Sequence, residues 1–365
     1  MCIYMPMTAV LDIDVALPSY VVAQDDVRNL VRNLFQDSYK GIDRLLPVFE
    51  HTQIERRYFS QPLSWFESQR SFAESSAAFS ETALALIVEA AEKVLSRRSP
   101  TLRQKIDLVV AVTTTGVATP SLDAKTIQAL GLPKSTRRIP VWGLGCAGGV
   151  AGLARTASLL SSLKEDSYAL MVAVELCSLT FQRNDVSKSN IVASSLFADG
   201  AAALLLGRAD SSPSADEAPA LQALEILDSF SYLFDDSEDI MGWDIIETGL
   251  KVRFSRDIPT LIRSSLPGVF AEACASWGVS PSEIRRFIVH GGGAKVLEAY
   301  SDSLPISPAD LEIARSILRA HGNMSSVSVL FAAQEFCRQN APRGELGVMI
   351  ALGPGFSAEF LLFRR

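Results

Sequence analysis

The hydrophobic pattern changes period repeatedly along the chain. Ala9 to Tyr20 alternates as a strand does and ends near Pro18, and Asp25 to Gly41 has helical spacing, with Leu30, Val31 and Leu34 to one side. Ser71 to Leu95 is the strongest helix, because Phe72, Phe79, Ala83, Leu86, Ile87, Ala90 and Val94 recur every three or four positions. Ile106 to Thr113 predicts a buried strand running into the polar turn Thr114-Thr115-Gly116. Ser121 to Leu130 predicts a short helix, stopped by Gly131 and Pro133. A Trp-led apolar approach then enters Gly145-Cys146-Ala147-Gly148-Gly149, which reads as strand, tight turn and a helix starting at the cysteine. Tyr168 to Leu176 is an apolar strand and Ser189 to Phe197 a helix, and Asp199-Gly200 reads as a turn into the buried strand Ala201 to Leu206.

The polar, Pro-bearing stretch Ser211 to Ala220 is the clearest linker and divides residues 1–210 from 221–365. Beyond it, Leu221 to Phe230 predicts a strand, followed by a turn-rich segment that includes Met241-Gly242-Trp243-Asp244. Pro259 to Trp277 predicts a long helix, kinked or split at Pro267. The strand Arg286 to His290 opens into Gly291-Gly292-Gly293, with a helix from Ala294 to Tyr300 after it. Asp310 to Leu318 and Ser325 to Arg338 read as helices. Leu346 to Leu352 and Ser357 to Phe363 read as strands closing around Gly353-Pro354-Gly355. The two halves look alike: each has a strand, a Gly-rich turn and a helix, with Cys146 at that junction in one and His290 in the other. Alternating strands and helices place the chain in the α/β class, and the duplication would gather the loops around a shared cleft.

Composition narrows the function. With 365 residues, 48% of them hydrophobic, the chain can bury a large interior. The formal charge of −7, without long like-charged blocks, argues against general nucleic-acid binding. No apolar run reaches the roughly 18 residues of a membrane span, and Met1 to Thr8 lacks the pattern of a secretory signal. The five cysteines (Cys2, Cys146, Cys177, Cys274, Cys337) are odd in number and without a CxxC pair. A reducing cytoplasm is therefore expected, with neither a disulfide framework nor a metal site.

The chemistry gathers in three places. Cys146 stands at the positive end of a predicted helix, which favours a thiolate, although a lone cysteine is usually a small buried hydrophobe. His290, one of only three histidines, sits at a strand end before three glycines, where a side chain can point into a cleft or simply be buried and satisfied. His321-Gly322-Asn323-Met324-Ser325-Ser326 is a polar loop before an apolar helix; Asn323 or Ser325 could cap that helix, or the amide could face an oxyanion. A Cys, a His and an Asn together suit acyl transfer through a thioester, and residue types alone would equally suit a Cys-His-Asn hydrolase.

The strings GCAGGVAGL, FIVHGGGA, HGNMSS and ALGPGF occur in the order and spacing of the type III polyketide synthases, and the chain resembles that chalcone/stilbene synthase-like family over nearly its whole length. The resemblance extends from Arg56-Arg57-Tyr58 through LFADGAAALLLG to GPGFSAE. It implies a thiolase-like αβαβα layered fold with two pseudo-duplicated halves, working as a homodimer with acyl-CoA and malonyl-CoA as substrates and no tightly bound cofactor. Cys146 would carry the acyl group, with His290 and Asn323 stabilising the enolate left by malonyl decarboxylation. Phe197 matches a gatekeeper phenylalanine, and a second gatekeeper falls on Val252, which removes an aromatic wall. Thr114, Cys177, Thr180 and Ser325 match cavity-lining positions, and Trp243 occupies a position that is glycine in chalcone synthase. Of three basic CoA-binding positions only Arg44 matches, the others falling on Pro47 and His51, and Lys295 could supply a compensating charge. Val252 and Cys177, standing where the family has bulkier or more polar residues, point to a medium or long fatty acyl starter and an alkylpyrone or alkylresorcinol product. A ketoacyl synthase III-like enzyme making a single condensation, or a non-catalytic binding protein of the same fold, are the other expectations.

Overall fold

The structure is a computed structural model that describes residues 7–209, 224–255, 257–339 and 342–365; the predicted linker at 211–220 lies outside the described residues. In the first half, strands β1 (Thr8–Ala16), β2 (Tyr20–Ala23) and β3 (Arg56–Phe59) are followed by β4 (Ile106–Thr113), β5 (Arg137–Trp142), β6 (Tyr168–Leu176) and β7 (Asp199–Arg208). The helices between them are α1 (Gln24–Phe35), α2 (Val48–His51), α3 (Leu63–Glu67), α4 (Phe72–Leu95), α5 (Leu122–Ala129), α6 (Gly148–Ser161) and α7 (Lys188–Leu196). The second half has strands β8 (Leu224–Leu233), β9 (Met241–Ile246), β10 (Gly249–Phe254), β11 (Ile284–Val289), β12 (Leu346–Gly353) and β13 (Ser357–Arg364). Its helices are α8 (Ile258–Ser276), α9 (Ala294–Ser303), α10 (Pro308–His321) and α11 (Ser328–Arg338).

Nine strands form one sheet in the order β11-β12-β13-β8-β1-β7-β6-β4-β5. Among the described residues the seam between the halves is narrow: β1 meets β8 over Thr8 to Val10 against Leu224 to Ile226. On either side of the seam the pairing repeats. β1 is antiparallel to β7, β7 to β6, and β6 parallel to β4; likewise β8 is antiparallel to β13, β13 to β12, and β12 parallel to β11. The duplication suspected from the sequence is therefore a repeat of topology.

The layers follow from where apolar faces are buried. Helix α4 covers the first half-sheet, burying Phe79, Ala83, Ile87, Ala90 and Val94 against β7, β1 and β6. It begins where the sequence says it should, because Ser71 accepts from the Glu74 amide while the Glu74 carboxylate accepts from the Ser71 N–H. Helices α8, α9 and α10 cover the second half-sheet through a separate core that includes Ile262, Phe270, Phe287 and Phe360. Between the two half-sheets, α6 touches β4 and β6 on one side and β12 and β13 on the other, and α11 packs beside it. The result is the αβαβα layering, with the Cys146 junction and the loop before α11 entering the same middle layer.

Small residues let that layer close. A Cβ on Gly149 would lie 2.2 Å from the Ser326 carbonyl oxygen and 2.7 Å from Val329 Cγ1. Replacing an exposed helical glycine by alanine adds about 0.8–1.0 kcal/mol of stability. Gly149→Ala is instead expected to cost about 2–3 kcal/mol, because one backbone must move off another. Gly268→Ala in α8, where a new Cβ meets nothing within 4 Å, is the control and should stabilise. Urea midpoints for the two variants, measured side by side, check this; a shift of the same sign in both would refute the packing argument.

Several sequence expectations change. Asp199-Gly200 is the start of strand β7 rather than a turn, because the Asp199 carboxylate is buried and pinned by Ser60 and Ser178. Met241 to Asp244 is strand, paired in a two-stranded hairpin with β10. Helix α8 runs through Pro267 as one element, its buried face of Ile262, Leu266, Val269 and Phe270 outweighing the lost hydrogen bond. Helix α1 stops at Phe35, short of Gly41. The helix after the cysteine starts at Gly148, with Cys146 in the 3-10 turn Gly145–Ala147 before it.

Candidate active site

Cys146 is placed by a sharp reversal after β5. Gly145 has φ +48°, a left-handed conformation that glycine adopts without steric cost, and its open side is filled by Pro354, whose Cδ would lie 2.5 Å from a Cβ there. The Gly145 N–H donates to Thr114 Oγ1 at 2.9 Å, so the polar turn after β4 holds the turn before Cys146 in place. The thiol is buried, and burial pushes its pKa up to about 12, while the neighbouring Ser325 and Asn323 side chains act in the opposite direction.

His290 follows β11 directly, its N–H donating to Ile350 O at 2.9 Å. Only 3% exposed, it has both ring nitrogens without a partner among the described residues. Burial lowers its pKa to about 4, so at neutral pH the imidazole is neutral and offers one donor and one acceptor. A charged thiolate or a charged imidazolium is disfavoured here on its own.

Asn323 is fixed from every side. Its N–H donates to Leu196 O at 2.8 Å and its carbonyl accepts from Ala198 N at 2.9 Å, a short bridge to the Phe197 segment. Its side-chain Oδ1 accepts from the Ser325 N–H at 2.8 Å, and Nδ2 donates to Gly292 O at 3.0 Å. Gly292 in turn donates to His290 O at 3.1 Å, so Asn323 is tied to the loop that carries His290 while its side chain faces the Cys146 sulfur. Ser325 has φ +48°, which is rare for a residue with a side chain and marks a loop held under strain.

Behind these residues lies a carboxylate that the sequence reading passed over. Glu175, at the end of the apolar strand β6, is fully buried and accepts from Ser326 Oγ at 2.6 Å. Its other oxygen accepts from Thr114 N at 2.9 Å and from Thr115 Oγ1 at 2.8 Å. Burial pushes its pKa up to about 7 against the pull of these bonds, of which that from Ser326 is the strongest. Glu175 thus joins the turn under Cys146 to the loop bearing Asn323. Its one sequence signal is an acid ending an otherwise apolar strand.

Cys177, Thr180, Phe197 and Val252 line a single apolar cavity with free space of ≈ 40 Å³. Val27, Leu30 and Val31 of α1 form its far wall. The half-buried Phe197 also meets Trp243, ring centroids 6.0 Å apart, and Trp243 pairs in register with Val252 across the β9–β10 hairpin. Thr114 and Ser325 belong to the surroundings of Cys146 rather than to this cavity. Arg44 and Lys295 are exposed and line neither place; Lys295 is in the first turn of α9. Among the described residues, no cluster of three or more His, Cys, Asp or Glu could hold a metal, and no helix is long and apolar enough to cross a membrane.

A two-half αβαβα fold, with a cysteine before the central helix of one half facing an amide before the central helix of the other, defines a thiolase-like condensing enzyme. The family models for chalcone and stilbene synthases match this chain twice, the N-terminal domain over residues 5–210 and the C-terminal domain over residues 225–365. The chain therefore belongs to the chalcone and stilbene synthase family and is a type III polyketide synthase, an acyltransferase-type condensing enzyme. It is 41% identical over 364 residues, 98% of each chain, to a putative chalcone synthase of Bacillus subtilis (strain 168). To a 1,3,6,8-tetrahydroxynaphthalene synthase of Streptomyces peucetius subsp. caesius it is 37% identical, over 98% of this chain and 93% of that one. An alpha-pyrone synthesis polyketide synthase-like protein of Mycobacterium tuberculosis is 30% identical, over 95% of this chain and 88% of its own. The crystal structure of 1,3,6,8-tetrahydroxynaphthalene synthase from Streptomyces coelicolor superposes with a TM-score of 0.86 at 26% identity, covering 98% and 99% of the two chains. Family membership decides against the hydrolase and single-condensation expectations.

Proposed function

We propose that Cys146 takes an acyl group from a CoA thioester and that His290 and Asn323 stabilise the enolate formed when malonyl-CoA loses carbon dioxide. The enolate carbon then attacks the Cys146 thioester, and the carbon–sulfur bond breaks to return the Cys146 thiolate. The lengthened β-ketoacyl-CoA reacylates Cys146 with release of CoA; each round adds two carbons until the chain cyclises. The observation that carries this reading is the Asn323 amide, locked by Gly292 and Ser325 in the orientation that turns its side chain to the sulfur. A fixed donor costs no reorganisation when negative charge develops on a carbonyl oxygen. The neutral His290, whose ring nitrogens have no partner among the described residues, supplies a second donor.

The starter is a medium or long fatty acyl group, and the product an alkylpyrone or an alkylresorcinol. Support comes from the apolar cavity beyond Phe197, from Val252 standing where an aromatic wall would narrow it, and from the likeness to the mycobacterial pyrone-synthesis protein. Arg44 and Lys295 meet the CoA phosphates, and the enzyme works as a cytoplasmic homodimer. The likeness to the Streptomyces peucetius enzyme favours a second reading, in which malonyl-CoA alone builds a hydroxylated naphthalene. Incubation with malonyl-CoA and a series from octanoyl- to palmitoyl-CoA, followed by mass spectrometry, separates the two. Alkyl-bearing products are expected; products from malonyl-CoA alone, with fatty acyl-CoAs ignored, would replace the first reading by the second.

A further inference from the structure

Arg57 is the largest fully buried side chain among the described residues, and nothing in the chemistry above uses it. A guanidinium out of water costs several kcal/mol unless its surroundings compensate. Nη1 donates to Ser194 O at 2.7 Å and to Phe197 O at 2.8 Å, gripping the end of α7 where the cavity wall begins. The guanidinium lies over the Phe59 ring, 5.3 Å from its centroid. Its aliphatic stem fills the space beside Gly322, where a Cβ would lie 2.8 Å from Arg57 Cγ. Gly322 has φ +76° and immediately precedes Asn323.

The counter-charge is Asp199, also fully buried. It favours the charged form of Arg57, which burial draws down to about 9. Asp199 accepts from Ser60 N at 2.7 Å and from Ser178 N at 2.7 Å, so it fastens the end of β3 and the turn that carries Cys177. Four segments from across the fold therefore gather around two buried groups of opposite charge. Two of them, the Phe197 segment and the Asn323 loop, also bridge each other directly.

We propose that Arg57, balanced by Asp199, is a positioning residue for the condensing reaction, setting the distance between the Phe197 wall of the acyl cavity and the Asn323 amide. The proposal rests on the roles given above to Asn323 and Phe197. Arg57 bonds the Phe197 carbonyl on one side of the bridge and packs its stem against Gly322 on the other, so removing either grip lets the amide drift relative to the chain it must serve. Misplacement of a reacting group by about 1 Å can cost 10²-fold in rate.

The test compares Arg57→Met and Arg57→Lys with wild type in three readouts: acyl loading of Cys146 by intact mass, carbon dioxide release from malonyl-CoA, and the distribution of product chain lengths. Arg57→Met is expected to lower the ratio of decarboxylation to loading by ~10- to 100-fold and to shift products toward fewer extensions. Arg57→Lys keeps the charge but loses the planar guanidinium over Phe59 and some reach toward Ser194 and Phe197, and should fall between. Should Arg57→Met fail to fold, the lysine variant decides. A purely structural role lowers loading and decarboxylation together, in proportion to folded protein, and leaves product lengths unchanged; that result overturns the proposal. Asn323→Ala run in parallel keeps the two ideas apart: native decarboxylation there would sink the role of Asn323, whereas its loss beside an unaffected Arg57→Lys would sink only the role of Arg57.

Discussion

Cys146→Ala is expected to fold, to take up no acyl group, and to lose at least about 10³-fold in product formation. Only one sulfur is removed, and the turn is held by contacts that alanine keeps: the Gly145 bond to Thr114 and the Pro354 packing. The rival nucleophile is Cys177, which lines the apolar cavity beside Phe197. Burial holds its thiol well above the ordinary range, and the buried Glu175 and Asp199 carboxylates push in the same direction. Cys177 should therefore stay protonated and inert. Intact-mass analysis after exposure to an acyl-CoA is the measurement. An adduct that persists in the alanine variant, mapped to Cys177, would reassign the nucleophile.

Asn323→Asp should cost about 10²-fold or more in malonyl-CoA decarboxylation. In the native loop the amide nitrogen gives a hydrogen to Gly292 O at 3.0 Å, in a position only 2% exposed. A carboxylate there sets two acceptors against each other and removes the donor meant for the enolate oxygen. Its other oxygen can still accept from the Ser325 N–H, so the loop retains one of its two ties and the protein should remain folded. Release of carbon dioxide at the native rate would end the role assigned to Asn323.

The sequence made the fold legible where burial is simple. Strands β4 and β6 lie where their apolar runs put them, because both are interior strands flanked on two sides and need no alternation. It was less legible where polarity has a long-range cause. Asp199-Gly200 looks like a turn until Ser60 and Ser178 are seen to satisfy the carboxylate inside the strand. Met241 to Asp244 looks like a loop because its hairpin is a two-stranded ribbon, half exposed and with no core of its own to impose a period. The candidate site divides the same way. Cys146, His290 and Asn323 stand at junctions whose glycines announce them. Glu175 and Arg57 take their meaning from partners far off in the chain, such as Ser326 and Phe197, which no local pattern displays.

The short bridge between Phe197 and Asn323 also bears on how the enzyme comes into being. A chain leaving the ribosome has Cys146, Phe197 and the whole first half-sheet in hand long before Asn323 has been made. The amide acquires its place only when the loop before α11 docks onto residues Leu196 and Ala198, a contact between segments more than a hundred residues apart in sequence. Such contacts are closed late, since the intervening chain must give up its freedom first. On the roles proposed for these residues, a half-folded molecule would have the Cys146 thiol without the Asn323 amide in place, so activity would begin only as that last contact closes.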